Sequence, residues 1–193
     1  AYISIRGEGE GVKAYAVVTY TALLLAGLWM GETVVTAAFG GQIRREVKRV
    51  QRTRKIDQLS DHVIVCGYGI FGRTVAENLG ERDTPVVAIE TDDRTLERIK
   101  DDAVVGLEAD ARHESTLRDA GVERARAVVA AIDDSNVNIQ IAIVASQLAP
   151  DVHVIVRVGD EMYEALARRA GADEVVIPEV ISGTRVTTDL FDE

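Results

Sequence analysis

Cysteine and lysine are both scarce in this sequence of 193 residues. The single cysteine, Cys66, cannot form a disulfide within the chain, and its place in an apolar run predicts a small buried side chain. Only four of the 22 basic residues are lysines, and this arginine bias beside an excess of carboxylates would suit a salt-rich cytosol. None of these features indicates an oxidising compartment.

Histidine is scarce as well. The three residues, His62, His113 and His153, are far apart in the chain and form no evident nucleophile pattern with Cys66. The sequence therefore predicts neither a metal site nor a catalytic residue, and the chain is not expected to be an enzyme.

The net charge of -10 hides two parts of opposite sign. Residues 1–60 carry nine Lys or Arg against five Asp or Glu, whereas the remainder carries thirteen against twenty-seven. Because so acidic a domain repels phosphate backbones, the sequence excludes nucleic acid as a partner of the second part.

Eighteen residues without a charge run from Ala14 to Gly31, and apolar character resumes as far as Phe39. About 20 residues at ~1.5 Å each cross the ~30 Å hydrocarbon layer, so this stretch predicts one transmembrane helix. Seven basic residues follow between Arg44 and Lys55, against two before it, which predicts a cytoplasmic location for everything downstream. The alternatives are a signal peptide and the buried helix of a soluble protein.

From Asp61 onward, short runs rich in Val and Ile alternate with segments of helical spacing. The six apolar runs are HVIVCGYG, TPVVAIE, AVVGLEAD, RAVVAAID, VHVIVRV and DEVVIP. Strands apolar on both faces belong to a parallel sheet covered by helices, so the predicted fold is an α/β, doubly wound, six-stranded Rossmann-type sheet preceded by one transmembrane helix. The predicted divisions are residues 1–43, the transmembrane helix; 44–60, a basic linker; 61–183, the nucleotide-binding domain; and 184–193, the start of a crossover or linker.

A glycine-rich loop with GxGxxG spacing follows the first predicted strand. It consists of Gly67, Tyr68, Gly69, Ile70, Phe71 and Gly72. The first glycine permits a tight turn, the second lets the backbone approach a pyrophosphate, and the third allows close packing of helix on strand. The N-terminus of the following helix favours phosphate. The alternative is that the glycines serve the turn alone.

An acidic residue, Glu90, ends the second predicted strand eighteen positions after Gly72. A carboxylate there would accept hydrogen bonds from an adenosine ribose and repel a 2′-phosphate. The sequence therefore favours NAD or an adenine nucleotide over NADP. Asp92 is the alternative for this role, and Asp133 and Asp134, after the fourth strand, lie either near the ligand or in a solvated loop.

Several segments, among them HVIVCGYGIFG, VVAIETD, GLEADARHESTLRDAGVERARAVVAAIDDSNVNI and RAGADEVVIPEVISG, resemble the RCK or TrkA-N (KTN) regulatory domain of prokaryotic potassium channels and potassium-uptake systems. The resemblance implies binding of NAD(H), ATP or ADP, with the glycine loop at the phosphates and Asp110 and Ala111 beside the adenine. It also implies a homo-oligomer, with paired RCK domains and a tetrameric pore.

The apolar segment and its basic flank are similar to the inner pore helix that precedes this domain in two-helix channels. A TxGYG selectivity filter is not present in the sequence, so potassium would pass through a pore that this chain does not contain. The expected function is that of a nucleotide-regulated potassium channel fragment in the cell membrane. The alternatives are a membrane-anchored regulatory subunit of a separate potassium transporter and an NAD-dependent oxidoreductase.

Overall fold

The computed structural model describes residues 15–27, 29, 51–99 and 103–191. The chain divides into two compact units, Ala1–Lys48 and Arg49–Glu193. In the first unit, residues 15–27 are helical, and the rest of the predicted transmembrane span except residue 29 lies outside the described residues. No helix in the described ranges is long and apolar enough to cross a membrane.

The second unit is built on one sheet of six parallel strands. The strands are β1 (Val63–Cys66), β2 (Val86–Glu90), β3 (Val104–Glu108), β4 (Ala127–Ala130), β5 (His153–Arg157) and β6 (Glu174–Val176). Their order across the sheet is β3-β2-β1-β4-β5-β6, and every neighbouring pair is parallel. This is the strand order of a Rossmann fold, and the predicted fold class is confirmed for this unit.

Helices connect the strands and cover both faces of the sheet. They are α1 (Ile70–Gly80), α2 (Asp93–Leu96), α3 (Glu114–Asp119), α4 (Ser135–Leu148), α5 (Glu164–Arg169) and α6 (Pro178–Phe191). Short 3-10 turns occupy Val122–Arg124 and Glu161–Tyr163. Helix α6 continues through the predicted boundary between residues 183 and 184, so the last predicted segment begins inside a helix.

Alternate residues of each central strand enter two separate cores, because successive side chains of a strand point to opposite faces. On β1, Ile64 and Cys66 join the larger core, which is packed against α3, α4 and α5. Val63 and Val65 join the smaller core, to which α1 contributes Ala76. Cys66 is fully buried, as predicted, and burial raises the pKa of its thiol to about 12.

A helix at residues 51–57, within the predicted linker, belongs to the second unit. Its Ile56 is fully buried in the larger core, and Leu59 packs against the same cluster. The last part of the predicted linker is therefore packed onto the six-stranded domain.

His62 is fully buried at the start of β1. Its Nε2 lies 2.9 Å from the carbonyl oxygen of Ala120, and because a carbonyl accepts, Nε2 carries the hydrogen. Within the described part of the chain, Nδ1 has no hydrogen-bond partner. Burial lowers the pKa of the imidazole; the bond to Ala120 and the charge of Asp61 oppose this change, and the nearby Arg124 charge adds to it.

Replacing His62 should remove part of the pH dependence of stability. Since the folded-state pKa lies below the unfolded value of about 6.5, the unfolded state binds more protons, and the free energy of unfolding falls as the pH drops below about 6.5. One proton limits this slope to about 1.4 kcal/mol per pH unit. Urea unfolding between pH 8 and 5 should show a shallower slope for His62→Gln. The same slope in wild type and His62→Gln, or an equal change in the exposed-site control His113→Gln, would contradict this prediction.

Candidate nucleotide-binding site

A cleft of ≈ 240 Å³ opens at the carboxyl ends of the strands, where the strand order reverses between β1 and β4. Ligands of open α/β sheets bind at this kind of crevice. The cleft is lined by Gly67, Gly69, Ile89, Glu90, Thr91, Ala109, Asp110, Ala111, Ala131, Ile132 and Asp133. Five of the nine predicted site residues are thus brought together: Gly67, Gly69, Glu90, Asp110 and Ala111.

The three glycines of the loop meet different surroundings. Gly67 has φ +95°, and a Cβ there would lie 2.8 Å from Cγ1 of Ile132. A Cβ on Gly72 would fall on the carbonyl oxygen of Gly67, so Gly72 lets α1 pack against the end of β1. Gly69 differs from both, because a Cβ there would meet no atom closer than Oδ2 of Asp133, at 4.0 Å.

The other predicted residues of the loop do not line the cleft. Tyr68 is buried in the smaller core, and Phe71 packs against that core from outside. Ile70 is 82% exposed. Gly72 is buried within α1. The spacing of the motif therefore locates the loop, but only Gly67 and Gly69 of its six residues border the cleft.

Helix α1 begins directly behind Gly69, which is its N-cap residue. Among the described residues, no side chain caps this helix end. The first N–H groups of a helix have no partner within the helix, and together with the helix dipole they attract an anion. The start of α1 beside Gly69 therefore has the main-chain features that favour an anion.

Glu90 also lines the cleft, and its carboxylate is held by main-chain donors. Its Oε2 accepts from the Tyr68 N–H at 3.0 Å, and its Oε1 accepts from the N–H groups of Thr91 at 2.7 Å and Asp92 at 3.2 Å. The Thr91 hydroxyl donates to the same Oε1 at 3.1 Å. Partial burial opposes ionisation, but these bonds outweigh it and lower the pKa of Glu90. The carboxylate is ionised and fixed in direction.

Asp110 follows β3 and is paired with Arg112. The guanidinium Nε lies 3.0 Å from both carboxylate oxygens, and Nη2 lies 2.6 Å from Oδ2. The hydrogen bonds from Arg112 lower the pKa of Asp110 to about 2. The adjacent Ala111 is 4% exposed and presents a small apolar wall.

A third carboxylate, Asp133, lines the cleft opposite Gly69, where the sequence left its role open. It forms an ion pair with Arg157, whose side chain is only 16% exposed and lies 5.7 Å from the ring centroid of Phe71. The position of an acidic residue directly after the fourth strand was the sequence feature that indicated a place near the cleft. Its pairing with Arg157, the last residue of β5, was not predicted.

The loop that carries Ile132 is fastened by a buried amide that sequence analysis missed. Asn138 is fully buried; its Nδ2 donates to the carbonyl oxygens of Ile132 at 2.7 Å and Arg157 at 2.8 Å. Its Oδ1 accepts from the Ile132 N–H at 3.0 Å. One side chain thus ties the loop after β4 to the end of β5, and buried amides satisfied in this way fix a conformation.

The strand order, the glycine loop and the acidic end of β2 define a Rossmann-type domain of the mononucleotide- or dinucleotide-binding class. Residues 63–178 match the model of the TrkA-N domain family, which covers more than half of the sequence. The chain belongs to the TrkA-N family, as its resemblance predicted.

Curated relatives include both channels and antiporters. The chain is 26% identical to potassium channel protein 1 of Methanocaldococcus jannaschii over 148 residues, covering 76% of this chain and 44% of that protein. It is 29% identical over 167 residues to the putative K(+) efflux antiporter KefB of Alkalimonas amylolytica, covering 86% and 24%. The chain thus spans less than half the length of these relatives.

Solved structures share the fold. The TrkA-N domain of the Escherichia coli inner membrane protein ybaL has a TM-score of 0.64 and 25% identity, covering 69% of this chain and 98% of that one. The GsuK channel bound to NAD has a TM-score of 0.57 and 21% identity, covering 63% and 22%. GsuK bound to ADP has the same TM-score and identity, and the match covers 63% of this chain and 32% of the GsuK chain.

Replacing Glu90 by Gln should destabilise the domain even without a ligand. The amide leaves one acceptor where the carboxylate has two, so either the Tyr68 N–H or the Thr91 and Asp92 N–H groups lose their partner, at a cost of about 1–3 kcal/mol. Because the pKa of Glu90 is lowered on folding, the difference should be largest near neutral pH, begin to shrink below ~4.3 and vanish as the pH falls through the lower folded-state pKa. Urea unfolding measures it. The matched control is Glu108→Gln, at the register partner on β3; an equal loss there would contradict the prediction.

Proposed function

We propose that the cleft binds NAD(H) or an adenine nucleotide such as ATP or ADP. The observation that carries this proposal is the open space at Gly69, where φ is −71° and nothing in the fold requires glycine. A phosphate bound against the start of α1 would require glycine at position 69, because any side chain there would occupy the space of the phosphate. The GsuK structures with NAD and with ADP support the same class of ligand.

Glu90 is the proposed partner of the adenosine ribose. Its carboxylate lines the cleft, is ionised, and is oriented by the three N–H groups of its own loop and the glycine loop. It has lone pairs left to accept from a ribose hydroxyl, and its charge repels a 2′-phosphate. Asp110 and Ala111 form the proposed adenine side. We expect NAD to bind more tightly than NADP.

We further propose that nucleotide binding regulates potassium movement across the cell membrane. Support comes from the family of the domain and from the similarity to a potassium channel protein. In this proposal the apolar segment of residues 14–31 is an inner pore helix, the domain is cytoplasmic, and the complete protein is a homo-oligomer with RCK dimers and a tetrameric pore.

A second candidate is a regulatory domain of a separate or fused potassium transporter, which the similarity to an efflux antiporter favours. An NAD-dependent oxidoreductase has less support. Glu90 and Asp110 both have lowered pKa values, so neither is poised near neutral pH to act as a general acid or base.

The variant Gly69→Asp should lose nucleotide binding without losing stability. The added carboxylate would occupy the phosphate path and repel phosphates, so isothermal titration with NAD and ADP should give at least about tenfold weaker binding. The matched control is Gly159→Asp, another glycine with open space, where a Cβ would lie 3.9 Å from Oγ of Ser135. Wild-type affinity in Gly69→Asp, or no binding by wild type, would refute the proposed ligand site.

Potassium flux would separate channel from antiporter. In liposomes containing the complete gene product, a channel should pass potassium down its gradient at equal pH on both sides, at a rate that NAD or ADP changes. An antiporter should need an opposing ion gradient. Flux that no nucleotide alters, in protein that binds the nucleotide, would contradict the regulatory role.

A further inference from the structure

One arginine fastens the segment that precedes β1. Arg124 donates from Nη2 to the carbonyl oxygen of Ile56 at 2.9 Å and from Nε to that of Leu59 at 2.8 Å. The last carbonyls of a helix have no partner within the helix, and the dipole favours a cation there. Arg124 therefore caps the carboxyl end of the helix at residues 51–57, which we call the linker helix. The same guanidinium lies 3.8 Å from Asp57.

The position of Arg124 is fixed from the other side. Gly121 has φ +77°, and a Cβ there would lie 2.6 Å from Cζ of Arg124, so the guanidinium rests directly on this glycine. The main chain of Arg124 also accepts from the Asp61 N–H at 2.9 Å. A planar guanidinium fork reaches two carbonyls at once, which a lysine cannot reproduce.

The linker helix also contacts the start of α2, which follows the cleft residues Glu90 and Thr91. Arg52 lies 3.7 Å from Asp93, the first residue of α2. Asp93 is three residues beyond Glu90, which itself accepts from the Asp92 N–H. The cleft wall and the linker helix are thus joined by one short stretch of chain and one ion pair.

We propose that Arg124 is a positioning residue that holds the linker helix rigidly on the nucleotide-binding domain. A change in residues 90–93 on ligand binding then passes through Arg52 to the segment before the domain. This inference rests on the proposed nucleotide function of the cleft. Without the cap, the carboxyl end of the linker helix would lose both hydrogen bonds from Arg124, and it could then move relative to the domain without transmitting the change.

Hydrogen exchange measured by mass spectrometry on the 193-residue chain tests the proposal. The reporting amides are Gln58 and Leu59, which close the linker helix by bonding to Lys55 and Ile56. In Arg124→Gln, without ligand, their exchange should rise at least about tenfold, and Arg124→Lys should lie between. The matched control is Arg126→Gln, which removes an arginine two positions away that pairs with the side chain of Asp61 and does not cap the helix.

Added NAD or ADP should slow exchange across residues 51–59 in wild type and leave it unchanged in Arg124→Gln, while the affinity for the nucleotide stays within about twofold in both. Wild-type exchange in Arg124→Gln and Arg124→Lys would overturn the cap. Binding by wild type without any change at residues 51–59 would overturn the coupling and leave the proposed function standing. Absence of binding by wild type would overturn the proposed function and the coupling together, while the ligand-free comparison would still decide the role of Arg124.

Discussion

The close approach of α1 to the end of β1 is the contact on which the rest of the domain depends. Gly72 lies against the carbonyl oxygen of Gly67 so closely that no side chain could stand between them. The helix therefore starts immediately behind the strand, and its uncapped N-terminus faces the crevice between β1 and β4. With more distance at this contact, the cleft would lose the main-chain donors that make it attractive to an anion.

The walls of the cleft are held by the protein itself before any ligand enters. Glu90 is oriented by main-chain N–H groups, Asp110 by Arg112 and Asp133 by Arg157. Among the described residues, three carboxylates against two arginines leave the lining acidic, so the proposed attraction for phosphate would come from the backbone of α1. Binding of that kind selects ligands by shape and by the position of their charges, and it disfavours an extra phosphate near Glu90.

The sequence predicted those parts of the molecule that depend on local pattern. Six strands, the strand–loop–helix setting of the glycines and the acidic end of β2 follow from apolar runs and fixed spacings. Asp110 and Ala111, which line the cleft, were expected there only from the family resemblance. Their roles as ligand contacts, like the transmembrane span and the domain boundaries, stay predictions. Tyr68, Ile70 and Phe71 share the motif with Gly69 but point elsewhere, because spacing does not define side-chain direction.

Features that join distant parts of the chain could not be read in this way. Asp133 and Arg157 are 24 residues apart, and Arg124 meets the linker helix across 65 residues or more. The basic residues of the predicted linker indicate a solvated segment. The buried Ile56, however, packs the last part of this segment onto the core. Helix α6 contains Gly183 and two adjacent threonines, which weaken its helical pattern.

Three ion pairs connect the cleft and the chain just beyond it to the ends of the domain. Arg157 joins Asp133 to Glu179 on α6, with 3.7 Å to the second carboxylate, and Arg52 joins Asp93 to the linker helix. A ligand can shift a structure only if it binds two arrangements with different affinity. Because these ion pairs connect the cleft to both ends of the domain, a ligand that prefers one arrangement of the cleft can also change the arrangement of the two ends. If a nucleotide binds in this cleft as proposed, these contacts would carry its effect to the linker helix and to α6 without a change in the buried sheet.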